Sequence, residues 1–289
     1  MIFTAHRFDQ ARIALFGMRI ASQGLRDEDG HSAIMNNLDY QSIFTFRGRA
    51  YNEAMAAFPD ARENERSALL ELLELSATDH FLDTPAGGGY LSEGLAARFG
   101  DGLFVTCVEP AKEFGAVIDP SFEVINAPMI DVPLDDGSVT AIGSLAGLHH
   151  FKSRAPVFAE WARLLAPQGQ LGVADVAAGT PTAEFLNGFV DRHTPQGHDG
   201  VFIEPGEFSR LMEENGIEVY TEELVDVPWI FPRREDVGAF CKKLFFLETA
   251  SEEQVTNAID ETLGIQYQAE FDHWLMNWQL IYASGRKTI

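Results

Sequence analysis

The sequence predicts an α/β protein built on a mostly parallel sheet with helices on both faces. Three observations predict it. From residue 80 onward, short apolar runs alternate with helical stretches. Those runs are apolar throughout rather than at every second residue, which fits strands buried on both sides. Between the first run and the next helix stand three glycines, Gly87, Gly88 and Gly89, a turn that would lie at the carboxyl edge of such a sheet.

The elements follow in order. Residues 1–78 read mostly as helix, with one stretch at 51–58 stopped by Pro59. Another runs over 61–75, where Leu69, Leu72, Leu73 and Leu75 supply an apolar face. A short strand covers 80–83, and a helix runs from Tyr90 until Gly100 ends it. Strands follow at 103–110 and 122–128, and the segment 139–150 is a strand running into a turn. A helix over 153–165 stops at Pro167-Gln168-Gly169, and 170–177 is the next strand. Beyond these come a helix at 207–215 closed by Gly216, a strand at 217–227, helices at 235–247 and 251–263, and a last strand near 278–284. The chain thus divides into a helical segment, 1–78; a core, 79–232 with 274–289; and a helical insertion, 233–273, placed to act as a lid.

The 289 residues are 46% hydrophobic and carry 44 acidic against 21 basic side chains, a net charge of −23. That excess disfavours nucleic acid, whose phosphates call for a Lys/Arg surface, and equally an anionic membrane. A small molecule is the better partner. Cys107 and Cys241 stand alone in apolar stretches, outside any CxxC motif, and read as buried thiols. No uninterrupted apolar run near the N-terminus suggests a signal segment, and none is long enough to span a membrane, so the expected location is cytoplasmic. His193 and His198, with Asp191 and Asp199 beside them, form a generic arrangement, and no metal is expected. The oligomeric state is not legible.

The glycine loop carries the chemistry. Consecutive glycines permit positive φ and remove every Cβ, so a ligand can lie against the backbone and the first N–H groups of the following helix. A dinucleotide fingerprint needs G-x-G-x-x-G, but from Gly87 the third position is Ser92. Adenosine with an amino-acid tail fits better: Asp83 at the loop mouth can accept from an ammonium. Glu109, 20 residues after Gly89 at the solvent edge of the second strand, can accept from both ribose hydroxyls.

With Asp83, Pro85, Gly87, Gly89 and Glu109 so spaced, the chain resembles the class I S-adenosylmethionine-dependent methyltransferases of small molecules. Pro85 replaces that family's first loop glycine. Residues 125–151 resemble its third motif and fourth strand, and 160–176 its next helix, turn and fifth strand; the likeness spans about residues 45–230 and the last strand. It departs at Ala127-Pro128-Met129, where an Asp usually meets the adenine amine, and at Ala166-Pro167-Gln168-Gly169. The resemblance implies a Rossmann-like sheet of seven strands and S-adenosyl-L-methionine as cofactor. It implies a site of Tyr51, Asp83, Thr84, Ala86, Gly87, Gly89, Glu109, Pro110, Pro128, Met129 and Ser144. It also implies an enzyme that methylates a small, uncharged or apolar metabolite. Another reaction on the same cofactor is the alternative. A nicotinamide oxidoreductase is disfavoured by Ser92 and by the lack of a Tyr-x-x-x-Lys pentapeptide.

Methyl transfer from a sulfonium is an in-line displacement with a neutral leaving group, so holding the reactants in place supplies most of the acceleration. His149 and His150, after the fourth strand, are the candidates to orient or deprotonate an acceptor. Trp229 and Phe231 of the PWIFP stretch, with Phe240, Phe245 and Phe246, are expected to line an apolar acceptor pocket.

Overall fold

The computed structural model describes residues 33–288. The helical reading of residues 1–32 lies outside them, as does Ile289. Helices α1 (Ala33–Ala57) and α2 (Glu63–Glu71) precede a seven-stranded sheet. Its strands are β1 (His80–Asp83), β2 (Phe104–Val108), β3 (Glu123–Ile125), β4 (Val139–Leu145), β5 (Leu165–Asp175), β6 (Ile217–Asp226) and β10 (Gln279–Lys287). Their order is β3-β2-β1-β4-β5-β10-β6. β1 through β5 pair in parallel, while β10 enters antiparallel between β5 and β6, with Ile281 opposite Asp175 on one side and Leu224 on the other. The order reverses between β1 and β4, and ligands bind at that switch point in open α/β sheets.

Successive residues of each central strand enter opposite cores, which is why the runs are apolar throughout. Phe81 joins one core and Leu82 the other; so do Ala141 and Ile142, and Ala174 and Val173. The first core is covered by α2 and by α3 (Tyr90–Phe99), through Leu69, Leu70, Leu91 and Leu95. Opposite it lie α4 (Ala155–Leu164), through Val157, Phe158 and Trp161, and α5 (Glu207–Glu214), through Phe208, Leu211 and Met212. α3 starts from Gly89 at φ 90° and ends at Gly100 at φ 59°, left-handed conformations that a Cβ disfavours.

The insertion holds the two expected helices, α6 (Arg234–Leu244) and α7 (Glu252–Thr262), the latter opened by a Ser251–Gln254 capping box. What the sequence reading did not anticipate is a second antiparallel sheet that brackets these helices, made of β7 (Trp229–Phe231), β9 (His273–Met276) and β8 (Ile265–Gln268). The hairpin was hidden because β8 is only four residues long and largely exposed. Among the described residues no helix is long and apolar enough to cross a membrane.

Candidate active site

Two adjoining cavities open at the carboxyl ends of β1 and β4. The first, about 50 Å³, is bordered by Asp83, Pro85, Ala86, Gly87 and Gly88 of the loop and by Leu145, Ala146 and Gly147 after β4. Tyr40, Phe44 and Tyr51 of α1, with Phe114, close it from above. The second, about 70 Å³, shares Phe44, Tyr51, Arg62 and Ala146 with the first and extends to Arg47, His149, His150 and His198, under a roof of Trp229, Phe245 and Trp278.

Asp83 ends β1 with Oδ2 accepting from the Ser92 hydroxyl at 2.7 Å and the Ser92 N–H at 3.2 Å. Burial pushes its carboxyl up to about 7, and the Ser92 hydrogen bonds only partly oppose this. Glu109 ends β2. Its Oε1 accepts from the Ala111 N–H and its Oε2 from the Gly87 N–H, both at 2.8 Å, so the acid and the glycine loop are tied together. Oε2 also accepts from the Tyr40 hydroxyl at 3.1 Å. Glu109 is therefore 1% exposed, not at the solvent edge as the sequence suggested. Burial raises its pKa to about 7 against those hydrogen bonds. Truncating it would orphan two N–H groups and so cost stability as well as ligand contacts.

The other expected cofactor residues divide. Tyr51, Ala86 and Gly87 border the first cavity, and a Cβ on Gly87 would come 3.0 Å from Phe114 Cζ. Gly89 caps α3, and Pro110 sits against Asn126, whose amide donates to the Glu109 and Pro110 carbonyls. Thr84 and Ser144 are fully buried, their hydroxyls without a partner among the described residues. Met129 lies deep in the second core and Pro128 is exposed; neither borders the cavity.

The donor set fits an adenosyl amino acid: a diol acceptor in Glu109, an ammonium acceptor in Asp83, and a loop stripped of side chains between them. The space is taken up by α1, whose Phe44 stacks on Phe114 at 4.6 Å. Cavities that enclose small ligands run to about 300–1,000 Å³. Tyr40 and Phe44 must therefore move before such a ligand enters.

Residues that sequence reasoning missed join the two cavities. Arg62, fully buried, donates to the Tyr51 hydroxyl and pairs with Glu65 Oε2, while the Trp229 indole donates to Glu65 Oε1 at 2.6 Å. Beyond them, His149 Nδ1 lies 2.6 Å from Asp175 Oδ1. Asp175 also accepts from the N–H groups of Leu148, His149 and Val176. Although burial acts against its charge, the neighbouring His149 and these bonds hold it below the usual carboxylate range. Such a carboxylate fixes the proton on Nδ1 and leaves Nε2 to accept. His198 reaches the same place because residues 201–203 run beside the end of β5, through Val201 N–H to the His149 carbonyl and Ile203 N–H to the Val176 carbonyl. His193 turns away to Thr249. Of the expected lid aromatics, Trp229 and Phe245 face the second cavity; Phe231 and Phe240 are core, and Phe246 borders neither cavity.

Residues 82–173 match the family model described as a methyltransferase domain. Similar solved structures include a chain of the complex formed by the Haloferax volcanii Trm112 methyltransferase activator. It is 15% identical, with TM-score 0.58 over 92% of this chain and 100% of that one. A S-adenosylmethionine-dependent methyltransferase of Thermotoga maritima is 14% identical, with TM-score 0.55 over 86% and 99%. Geranyl diphosphate C-methyltransferase of Streptomyces coelicolor, solved with Mg²⁺, geranyl diphosphate and S-adenosyl-L-homocysteine, is 16% identical, with TM-score 0.53 over 82% and 83%.

Proposed function

We infer that this chain, one of the class I S-adenosylmethionine-dependent methyltransferases, methylates a small molecule held in the second cavity, with the histidines around His149 favouring the acceptor's deprotonated form. The observation that carries this reading is the adjacency of the two cavities. Asp83 and the glycine loop form one wall, with Glu109 behind them on the Gly87 N–H, and the buried His149–Asp175 pair lies across the shared Tyr51 and Arg62.

The cofactor, when bound, supplies a methyl group on a sulfonium that leaves as a neutral thioether. Glu109 would receive the ribose hydroxyls once Tyr40 withdraws, and Asp83 the amino-acid ammonium. Tyr51 and Arg62 border both cavities and would fix the angle between donor and acceptor, the placement on which an in-line displacement depends. His149, oriented by Asp175, would take a proton or hold the acceptor's polar atom through Nε2.

The acceptor suggested is more specific than a wholly apolar one. Trp229, Phe245 and Trp278 offer an apolar roof, while buried Arg47, its pKa lowered to about 10 by desolvation, and the histidines offer a polar floor. A molecule with an apolar body and one ionisable or anionic oxygen fits both. A reducing compartment suits Cys107 and Cys241, both buried and unpaired.

Calorimetry with S-adenosylmethionine, followed by incubation of the methyl-labelled cofactor with small phenols, enols and carboxylic acids, tests the reading. One-to-one binding with label moving to an acceptor of that class supports it, and loss of transfer in His149→Ala ties it to the histidines. Binding without transfer to any of them would refute the acceptor assignment.

A further inference from the structure

The floor of the second cavity holds a cluster that neither an apolar roof nor a single base requires. One ring nitrogen each of His149, His150 and His198 lies within 4.8 Å of the other two. The ring centroids are 4.1 Å apart for His149 and His150, 5.5 Å for His149 and His198, and 5.6 Å for His150 and His198. Two of the three are held from behind: His149 Nδ1 by Asp175 at 2.6 Å, and His198 Nδ1 by Asn187 Oδ1 at 3.0 Å. That leaves Nε2 of each without a protein partner among the described residues, and the His150 ring makes no hydrogen bond there at all. Outer carboxylate and amide partners of this kind orient imidazoles that ligate metal.

We propose that His149, His150 and His198 bind one divalent transition-metal ion of the zinc type on the floor of the acceptor cavity, with an open coordination position facing the acceptor. Three imidazoles plus an exchangeable position are the donor set of a catalytic zinc centre. Zn–N bonds of about 2.0–2.1 Å place tetrahedral nitrogens about 3.3 Å apart, so the rings need close by no more than about 1.5 Å, within reach of χ rotations. Arg47 faces the same cavity and opposes a bare dication. Asp175 behind His149 offsets it, and an anionic oxygen on the open position satisfies both cations.

The role of the ion rests on the reading of this cavity as the acceptor site. An acceptor hydroxyl bound to it would lose its proton to solvent, the O–H bond breaking so that oxygen keeps the electron pair and stays on the ion, ready for the methyl group. His149 then acts as a ligand rather than as the base.

The test uses the untagged full-length chain, stripped with chelator and titrated with Co²⁺ alone. One equivalent should bind with visible d–d bands of tetrahedral intensity, and Zn²⁺ should displace it. Affinity should fall at least 100-fold in His150→Gln and in His198→Gln, each with a thermal melt close to the parent's. Absence of the bands, bands unchanged in both variants, or a thiolate charge-transfer band pointing to Cys107 or Cys241 would overturn the proposal. Should the variants melt early, Asn187→Ala, which frees His198 without removing a ligand, should still weaken Co²⁺ binding by about tenfold; no change there also overturns it. Label transfer by the stripped protein in excess chelator, undiminished, would sink the metal while leaving methyl transfer intact. Stoichiometric Co²⁺ binding with no label transfer would do the reverse.

Discussion

The hydroxyl of Tyr40 on α1 donates to Glu109 Oε2 at the end of β2 across 3.1 Å, joining residues 69 positions apart. A side chain of the N-terminal helix thus occupies the acceptor atom through which the site would take a ribose. Phe44, one turn further along, stacks on Phe114 over the glycine loop. The helix that closes the first cavity also fills it, and ligand binding there must exchange one set of contacts for the other.

Tyr40→Phe removes the competing hydrogen bond and keeps the ring. A bond to a charged group contributes about 1.5–3 kcal/mol, partly recovered by water on Glu109, so S-adenosylmethionine should bind about three- to thirtyfold tighter. The ligand-free protein should melt at a lower temperature. Weaker binding in calorimetry would instead place the Tyr40 hydroxyl on the cofactor.

Glu109 and Asp83 both have pKa values raised by burial to about 7. A carboxyl that holds its proton more tightly in the folded chain than in the unfolded one stabilises the fold most below the unfolded value. That contribution is lost as pH rises through about 7. Cofactor binding works the other way, because the ribose hydroxyls and the ammonium favour carboxylates. Affinity should therefore rise about tenfold per group between pH 6 and pH 8, and Glu109→Gln should flatten the profile. A flat profile in the parent protein would contradict the assignment.

Asp175→Asn keeps the shape but loses the charge that orients His149. Turnover should drop about 10- to 100-fold, while cofactor affinity stays within about twofold, a change under 0.5 kcal/mol. The pH dependence of kcat/KM should shift as well. An equal loss of cofactor binding would mean that Asp175 maintains the sheet edge rather than the histidine.

Phe245→Ala should raise the acceptor's KM about five- to thirtyfold, the loss of roughly 1–2 kcal/mol of apolar contact, with cofactor affinity unchanged. Trp229→Ala is a different experiment. Its ring is 1% exposed and its indole is bound to Glu65, so that variant should lose about 3–5 kcal/mol of stability. If Phe245→Ala leaves KM untouched, the roof belongs to the core and not to the acceptor.

Much of this was legible in the chain. β1, β2, β4 and β5 show as apolar runs because both faces are buried, and Gly87 and Gly89 sit at φ 55° and 90°, conformations that make the loop conspicuous. The histidine floor was half legible. His149 and His150 follow a strand, but Asp175 reads as the polar end of β5, and His198 stands 48 residues after His150 in a polar loop. Backbone bonds from Ile203 to the end of β5 and from Val201 to the His149 carbonyl bring them together. Nothing local marks Tyr40 either: its importance comes from where α1 crosses β2. Conversely, Met129 and Phe246 carried the right chemistry in sequence, yet packing turned them away from the cavities.

The central claim is that the Glu109 pocket delivers a methyl group to a molecule lying against His149. The most direct test is single-turnover incubation of the protein with methyl-labelled S-adenosylmethionine and a pool of small acidic acceptors, following label and S-adenosylhomocysteine together. One equivalent of label should reach an acceptor for each S-adenosylhomocysteine formed, with both reduced in Glu109→Gln and label transfer cut in His149→Ala. Consumption of the cofactor without label in any acceptor, or no cofactor binding while a nicotinamide dinucleotide binds tightly, would contradict it.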